Sequence, residues 1–128
     1  MSPGRRILLA DDDDQAQRAV KRAAMPCGYE IVEVQTGVDV KRIALETQPD
    51  LILLDIHFPD ADGRDILAQL KADPQTQAVP VLVWSARDSE TDRTITLELG
   101  AEDYVEKGDV QTLLPKINRL LWRLESER

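Results

Sequence analysis

Cysteine is nearly absent from this 128-residue chain, with Cys27 standing alone. One thiol excludes a disulfide framework and any cysteine-built zinc centre. Histidine is equally scarce. His57 by itself excludes a His-rich metal centre and argues against a His-centred catalytic triad. Long apolar runs are missing too. Nothing approaches the ~20 residues of a membrane-spanning helix. The N-terminal run Ile7-Leu8-Leu9-Ala10 is too short for a signal peptide and meets four aspartates at once. A cytoplasmic location is the expectation. Positive charge is in deficit, with 16 Lys and Arg against 24 Asp and Glu and a net charge of −8. That balance repels phosphate backbones and anionic membranes, so direct nucleic-acid binding is not expected, although acidity also serves plain solubility. Neither Gly-rich nucleotide pattern is present, which removes dinucleotide and P-loop readings.

What is there suffices for one folded unit. Apolar residues make up 42% of the chain. A chain of this length forms one domain and buries roughly two-thirds of its extended surface. Residues 7–10, 31–34, 51–54 and 81–84 are strand-length apolar runs, and Tyr104-Val105 is a weaker fifth. The first, third and fourth are apolar throughout, as parallel strands covered on both faces are. The second carries Glu33 and is expected nearer an edge.

Helical patterns fill the gaps. Ala16, Ala19, Val20, Ala23 and Cys27 recur on one stripe, with Asp14 and Gln17 resembling a capping box. This stripe makes Cys27 a small buried hydrophobe rather than a nucleophile. Val40, Ile43 and Ala44 mark a second helix that ends near Pro49, and Ile66, Leu67 and Leu70 a third that ends before Pro74. A sparse fourth, about 88–99, carries Thr91, Ile95 and Leu99 and ends at Gly100. Leu113, Leu114, Ile117, Leu120, Leu121 and Leu124 define the fifth. Trp84 reads as core, and Trp122 falls off the last stripe, at a rim or a partner surface. Five strands alternating with five helices predict an α/β fold: a single five-stranded parallel sheet, doubly wound, with helices on both faces.

In open sheets of this kind ligands bind beyond the carboxyl ends of the strands. Asp11 to Asp14 follow the first strand, Asp55 the third, Ser85 and Ala86 the fourth, and Lys107 the fifth. A tetra-Asp run is ordinarily a solvated helix cap, and that explains Asp14 well. Asp11, Asp12 and Asp55 abut fully apolar strands. Carboxylates crowded there repel strongly, so they take up a proton or hold a cation. An all-oxygen set with few protein ligands suits Mg²⁺, and Mg²⁺ calls for a phosphate-bearing partner.

These segments resemble the receiver domain of bacterial two-component response regulators, a flavodoxin-like fold. The resemblance rests on Ile7-Leu8-Leu9-Ala10-Asp11-Asp12-Asp13, on Leu53-Leu54-Asp55 with Pro59 and Asp62-Gly63, on Pro80 through Ala86, and on Gly100 through Lys107. It implies one receiver domain over 1–128, with a core of about 5–123. It further implies that Asp55 is the phosphoacceptor and that Asp11, Asp12, Asp55 and the backbone carbonyl of His57 bind Mg²⁺. Ser85 and Lys107 would contact the acyl phosphate, and Tyr104 would be the aromatic switch. The implied function is a phosphorylation-activated signalling switch. It would catalyse only its own phosphorylation and dephosphorylation, and so is not an enzyme in the ordinary sense. Its partners would be a histidine kinase or phosphotransfer protein, and a downstream target or an effector domain in a longer parent chain. A homodimer is left open.

The chemistry is consistent with those roles. A carboxylate attacks phosphorus when it is in line and the phosphoryl charge is neutralised. A hydrogen bond from Ser85 that exists only after phosphorylation would pull Ser85 inward and vacate space for Tyr104. The His57 side chain is expected to face solvent beside the site, where it or Arg87 could tune hydrolytic water. Gly108 follows Lys107 where the family usually has proline, so a trans bond with a rearranged or more mobile loop is expected. Two alternatives remain: a phosphorylation-independent binding module, and an Asp-nucleophile phosphohydrolase. The second would carry another aspartate where His57 stands.

Overall fold

The computed structural model describes the backbone of residues 5–126 and the side chains of residues 5–123. Five strands alternate with five helices. They are β1 (Arg6–Ala10), α1 (Asp14–Ala24), β2 (Glu30–Val34), α2 (Val40–Thr47), β3 (Leu51–Leu54), α3 (Gly63–Ala72), β4 (Val81–Ser85), α4 (Glu90–Glu98), β5 (Asp103–Glu106) and α5 (Val110–Ser126). The sheet order is β2-β1-β3-β4-β5 and every pairing is parallel. The winding therefore reverses between β1 and β3, which places the switch point at Asp11 and Asp55.

Alternation along the strands sorts the core. Ile7, Leu9, Leu51, Leu53, Leu82, Trp84 and Val105 pack with Val20 of α1 and with Leu113 and Ile117 of α5. Leu8, Ala10, Ile52, Leu54, Val81, Val83 and Tyr104 pack with α2 and α3 on the other face. The three interior strands are buried on both faces, which is why they read as unbroken apolar runs. β2 is an edge strand with half-exposed positions, as Glu33 foretold.

Two helices differ from the sequence expectation. The α1 cap is Asp13, whose carboxylate accepts from the Gln15 and Ala16 amides, not Asp14. The buried stripe is accordingly Gln17, Val20 and Ala24, with Ala16 and Ala19 half-buried. The α-helix gives way to a 3₁₀ turn at Met25–Cys27, with Pro26 at its start, and Cys27 is exposed rather than buried. α4 is shorter than expected and is capped by Ser89. Its one buried side chain is Thr96, whose hydroxyl donates to the Asp92 carbonyl at 2.7 Å, while Thr91 is exposed. Trp84 is buried and Trp122 is 69% exposed, and the side chain of Leu124 lies outside the described residues. Gly63 opens α3 where a Cβ would lie 2.2 Å from the Ile56 Cα, so only glycine lets α3 approach the loop after β3.

Candidate functional site

The hydrogen-bond ladder runs one residue past β1, β3 and β5 and sets the site residues at the rim. Asp11 N–H donates to the Val34 carbonyl at 2.9 Å, Asp55 N–H to the Ala10 carbonyl at 2.9 Å, and Lys107 N–H to the Ser85 carbonyl at 2.6 Å. Alternation then sends Asp11, Asp55 and Lys107 to one face. Ser85 and Tyr104 fall on the parity of the other.

The first three meet. The Lys107 ammonium donates to Asp55 Oδ2 at 2.9 Å and to Asp11 Oδ1 at 3.0 Å. It also lies 2.8 Å from Asp11 Oδ2, but without hydrogen-bond geometry, so that buried oxygen has no donor. Asp11 and Asp55 are buried to 0% and 3% exposure, and Lys107 is largely covered. Each acid also accepts an amide two residues on: Asp13 N–H on Asp11 Oδ1 and His57 N–H on Asp55 Oδ1, both at 2.9 Å. Asp12 is exposed, yet oxygens of Asp11, Asp12 and Asp55 lie within 4.8 Å of one another.

Three carboxylates against one ammonium leave a deficit of positive charge. Burial pushes the Asp11 carboxyl up to about 6, against the downward pull of Lys107 and the Asp13 amide. Burial also works against the Lys107 ammonium, but its bonds to Asp11 and Asp55 outweigh this and hold its pKa above the usual lysine value. The residues fit a hard divalent cation. The donor set is all oxygen, one buried oxygen lacks a donor, and no hydrogen bond among the described residues uses the His57 carbonyl.

The neighbouring expectations divide. Ser85 is fully buried, and its Oγ accepts from Arg87 N–H at 3.1 Å. Tyr104 is at 2% exposure, already inside, and its hydroxyl donates to the Arg87 carbonyl at 2.6 Å. The inner position is thus filled without phosphorylation, contrary to the vacated-space expectation. Arg93 of α4 lies over the Tyr104 ring, 4.9 Å from its centroid. The His57 side chain is half-buried and faces α4, where its Nε2 lies 3.4 Å from Asp92 Oδ2, instead of pointing to solvent. Arg87 is exposed. Every described peptide bond is trans, including Lys107–Gly108, and Gly108 takes φ 94°. Sequence reasoning missed Asp92, and it cast Gln17 as a cap partner. Once Asp13 is the cap, Gln17 falls on the i, i+3, i+7 stripe with Val20 and Ala24, which would have revealed it.

Comparison with known proteins settles the family. The family model described as the response regulator receiver domain matches residues 7–118. The chain belongs to the response regulator receiver domain family. It is 32% identical over 123 residues to the transcriptional regulatory protein GltR of Pseudomonas aeruginosa, covering 95% of this chain and 51% of that protein. It is 33% identical over 117 residues to protein PilH of the same organism, covering 91% and 97%. The signal receiver domain of a Luxo repressor protein from Vibrio parahaemolyticus superposes with a TM-score of 0.88 at 27% identity, over 97% of this chain and 95% of that one. The chain spans about half the length of several of the curated relatives it matches, GltR among them. Receiver domains act as phosphorylation-activated switches in two-component signalling rather than as conventional enzymes, and this chain is of that class. No described helix is long and apolar enough to cross a membrane.

Proposed function

We propose that Asp55 is the phosphoacceptor of this receiver unit, whose working core spans about residues 5–123. The Lys107 ammonium bonded to both Asp11 and Asp55 is the observation that carries this reading. One cation holds two carboxylates at the switch point, with a third acid beside them, where an incoming phosphoryl group would need charge neutralised from two sides. An Asp55 Oδ–P bond forms as the donor phosphohistidine's P–N bond breaks. The bonding electrons leave with the donor, a histidine kinase or phosphotransfer protein. Mg²⁺ held by Asp11, Asp12, Asp55 and the His57 carbonyl would screen the phosphoryl oxygens. Lys107 turns from the Asp55 carboxylate to a phosphoryl oxygen. Water attack at phosphorus later returns Asp55 and inorganic phosphate.

The signal leaves through Ser85. Its Oγ accepts from Arg87 N–H, so its own proton is left to donate to the acyl phosphate. Movement of Ser85 toward the phosphate draws on the Arg87 N–H; the carbonyl of the same residue, in the next peptide group, holds Tyr104, and Arg93 ties that ring to α4. Tyr104 therefore acts by being held or released at an occupied inner position. The output is a protein target or an effector domain in a longer chain.

Incubation with acetyl phosphate and Mg²⁺ followed by intact mass tests this reading. One added phosphoryl group in the parent and none in Asp55→Asn is expected. Equal labelling of the two would overturn the assignment.

A further inference from the structure

Gln17 is a nearly fully buried polar side chain, 2% exposed, on the inward face of α1. Its amide nitrogen donates to the Asp11 carbonyl at 2.6 Å and lies 3.4 Å from the Val34 carbonyl. Its amide oxygen accepts from Gln35 at 3.2 Å, and Gln35 also bonds Asp14. The bonds therefore converge on the point where the β1–β2 ladder ends. Val34 O already accepts the Asp11 amide, and the Gln17 amide continues the ladder by one side chain.

The consequence falls on Asp12. No side-chain hydrogen bond or ion pair among the described residues holds its exposed carboxylate. Its position is set by the backbone alone. The Asp11 carbonyl and the Asp12 N–H share one rigid peptide plane. Fixing that carbonyl fixes the plane, and with it the direction in which Asp12 leaves the strand. The Asx turn that closes Asp13 N–H onto Asp11 Oδ1 fixes the other side of Asp12. Loss of the Gln17 amide frees the first constraint and leaves a buried carbonyl without its donor.

We infer that Gln17 is a positioning residue for the divalent-cation site, holding the peptide that carries Asp12 in the orientation at which all three carboxylates converge. Gln35 steadies Gln17 from outside. The inference rests on the cation reading given above and deepens it. Partners of ligating groups typically contribute 10–100-fold to metal affinity, and Gln17 acts one peptide removed from its ligand.

Mg²⁺ titration followed by Trp84 fluorescence in a Trp122→Phe background provides the test, with urea unfolding of the same proteins in EDTA. Gln17→Met keeps the length and removes both amide functions. It is expected to raise the Mg²⁺ half-saturation point about tenfold. In phosphorylation by acetyl phosphate, that increase in half-saturation should exceed any loss of maximal rate at least fivefold, a split that simple destabilisation does not give. Gln35→Met, which leaves the core untouched, is expected to shift the midpoint about two- to threefold in the same direction, well short of the range for direct partners of ligands. It keeps the inference testable should Gln17→Met not fold. Midpoints within the error of the parent in a folded Gln17→Met would overturn it. So would an unmoved midpoint in Gln35→Met if that is the only variant that folds. Asp12→Asn serves as control. Its failure to weaken Mg²⁺ would sink the cation assignment and this inference together, whereas a weakened Asp12→Asn beside an unmoved Gln17→Met sinks only the inference.

Discussion

The two ends of the sheet handle charge in opposite ways. At the amino end, the Asp50 carboxylate accepts the Arg6 amide at 2.8 Å and pairs with the Arg5 guanidinium at 3.5 Å, while the Arg6 guanidinium pairs with Glu30 at 3.1 Å. Among the described residues two guanidinium groups stand with two carboxylates, and part of the group is wet. At the carboxyl end, one ammonium faces two buried carboxylates and a third at the rim. Carboxylates matched by guanidinium groups close a structure. A deficit of positive charge, at a place where burial makes it costly, leaves the fold waiting for a ligand that supplies the rest. On the proposed reading, the same residue types play a structural role at one end and would carry chemistry at the other, and the balance of charge distinguishes the two.

The strongest way to break this contrast is to remove the single cation. Lys107→Met leaves Asp11 and Asp55 buried against each other, and urea unfolding without Mg²⁺ should show a loss of about 3–5 kcal/mol, the cost of orphaning a buried charge. Asp50→Asn at the amino end keeps most hydrogen bonds and should cost only about 1 kcal/mol. Equal losses would erase the distinction.

Removing a carboxylate from the crowded end should do the reverse. Asp11→Asn should stabilise the Mg²⁺-free protein at pH 7 by about 1–3 kcal/mol. The sign follows from linkage. The folded-state pKa of Asp11 is raised to about 6, above its unfolded value of 3.8, so the folded protein holds an extra proton between those values. Its unfavourable contribution is complete above pH 6 and fades as pH falls toward 4. Stability of the Mg²⁺-free parent should therefore gain from this group between pH 7 and 5. Asp11→Asn should flatten that limb, and an unchanged pH profile would contradict the charge deficit.

Smaller effects sharpen the outlying parts. Tyr104→Phe should lose about 1 kcal/mol with its bond to the Arg87 carbonyl. Cys27→Ser should change stability by less than about 0.5 kcal/mol because the thiol is exposed. A larger loss would restore the buried reading.

Much of the fold was legible because the interior strands are covered on both faces and show it as unbroken apolar runs. Asp11, Asp55, Ser85 and Lys107 were legible because each stands at or just past a strand's carboxyl end. The start of α1 was not. Four consecutive aspartates are each competent caps, and choosing Asp14 over Asp13 rotates the whole face by one residue. That single step hid Gln17 and buried Cys27 on paper. α4 was blurred because its only buried side chain is the polar Thr96. The meeting of His57 with Asp92 and the inner seat of Tyr104 are tertiary facts with no periodic signature.

Urea unfolding of the parent at neutral pH, with EDTA and again with Mg²⁺ in excess, bears most directly on the charge deficit at the carboxyl rim. Cation at a hundred times its dissociation constant should stabilise the folded state by about 2.7 kcal/mol, and Asp12→Asn should lose most of that gain. Superimposable curves for the parent in the two buffers would contradict the account.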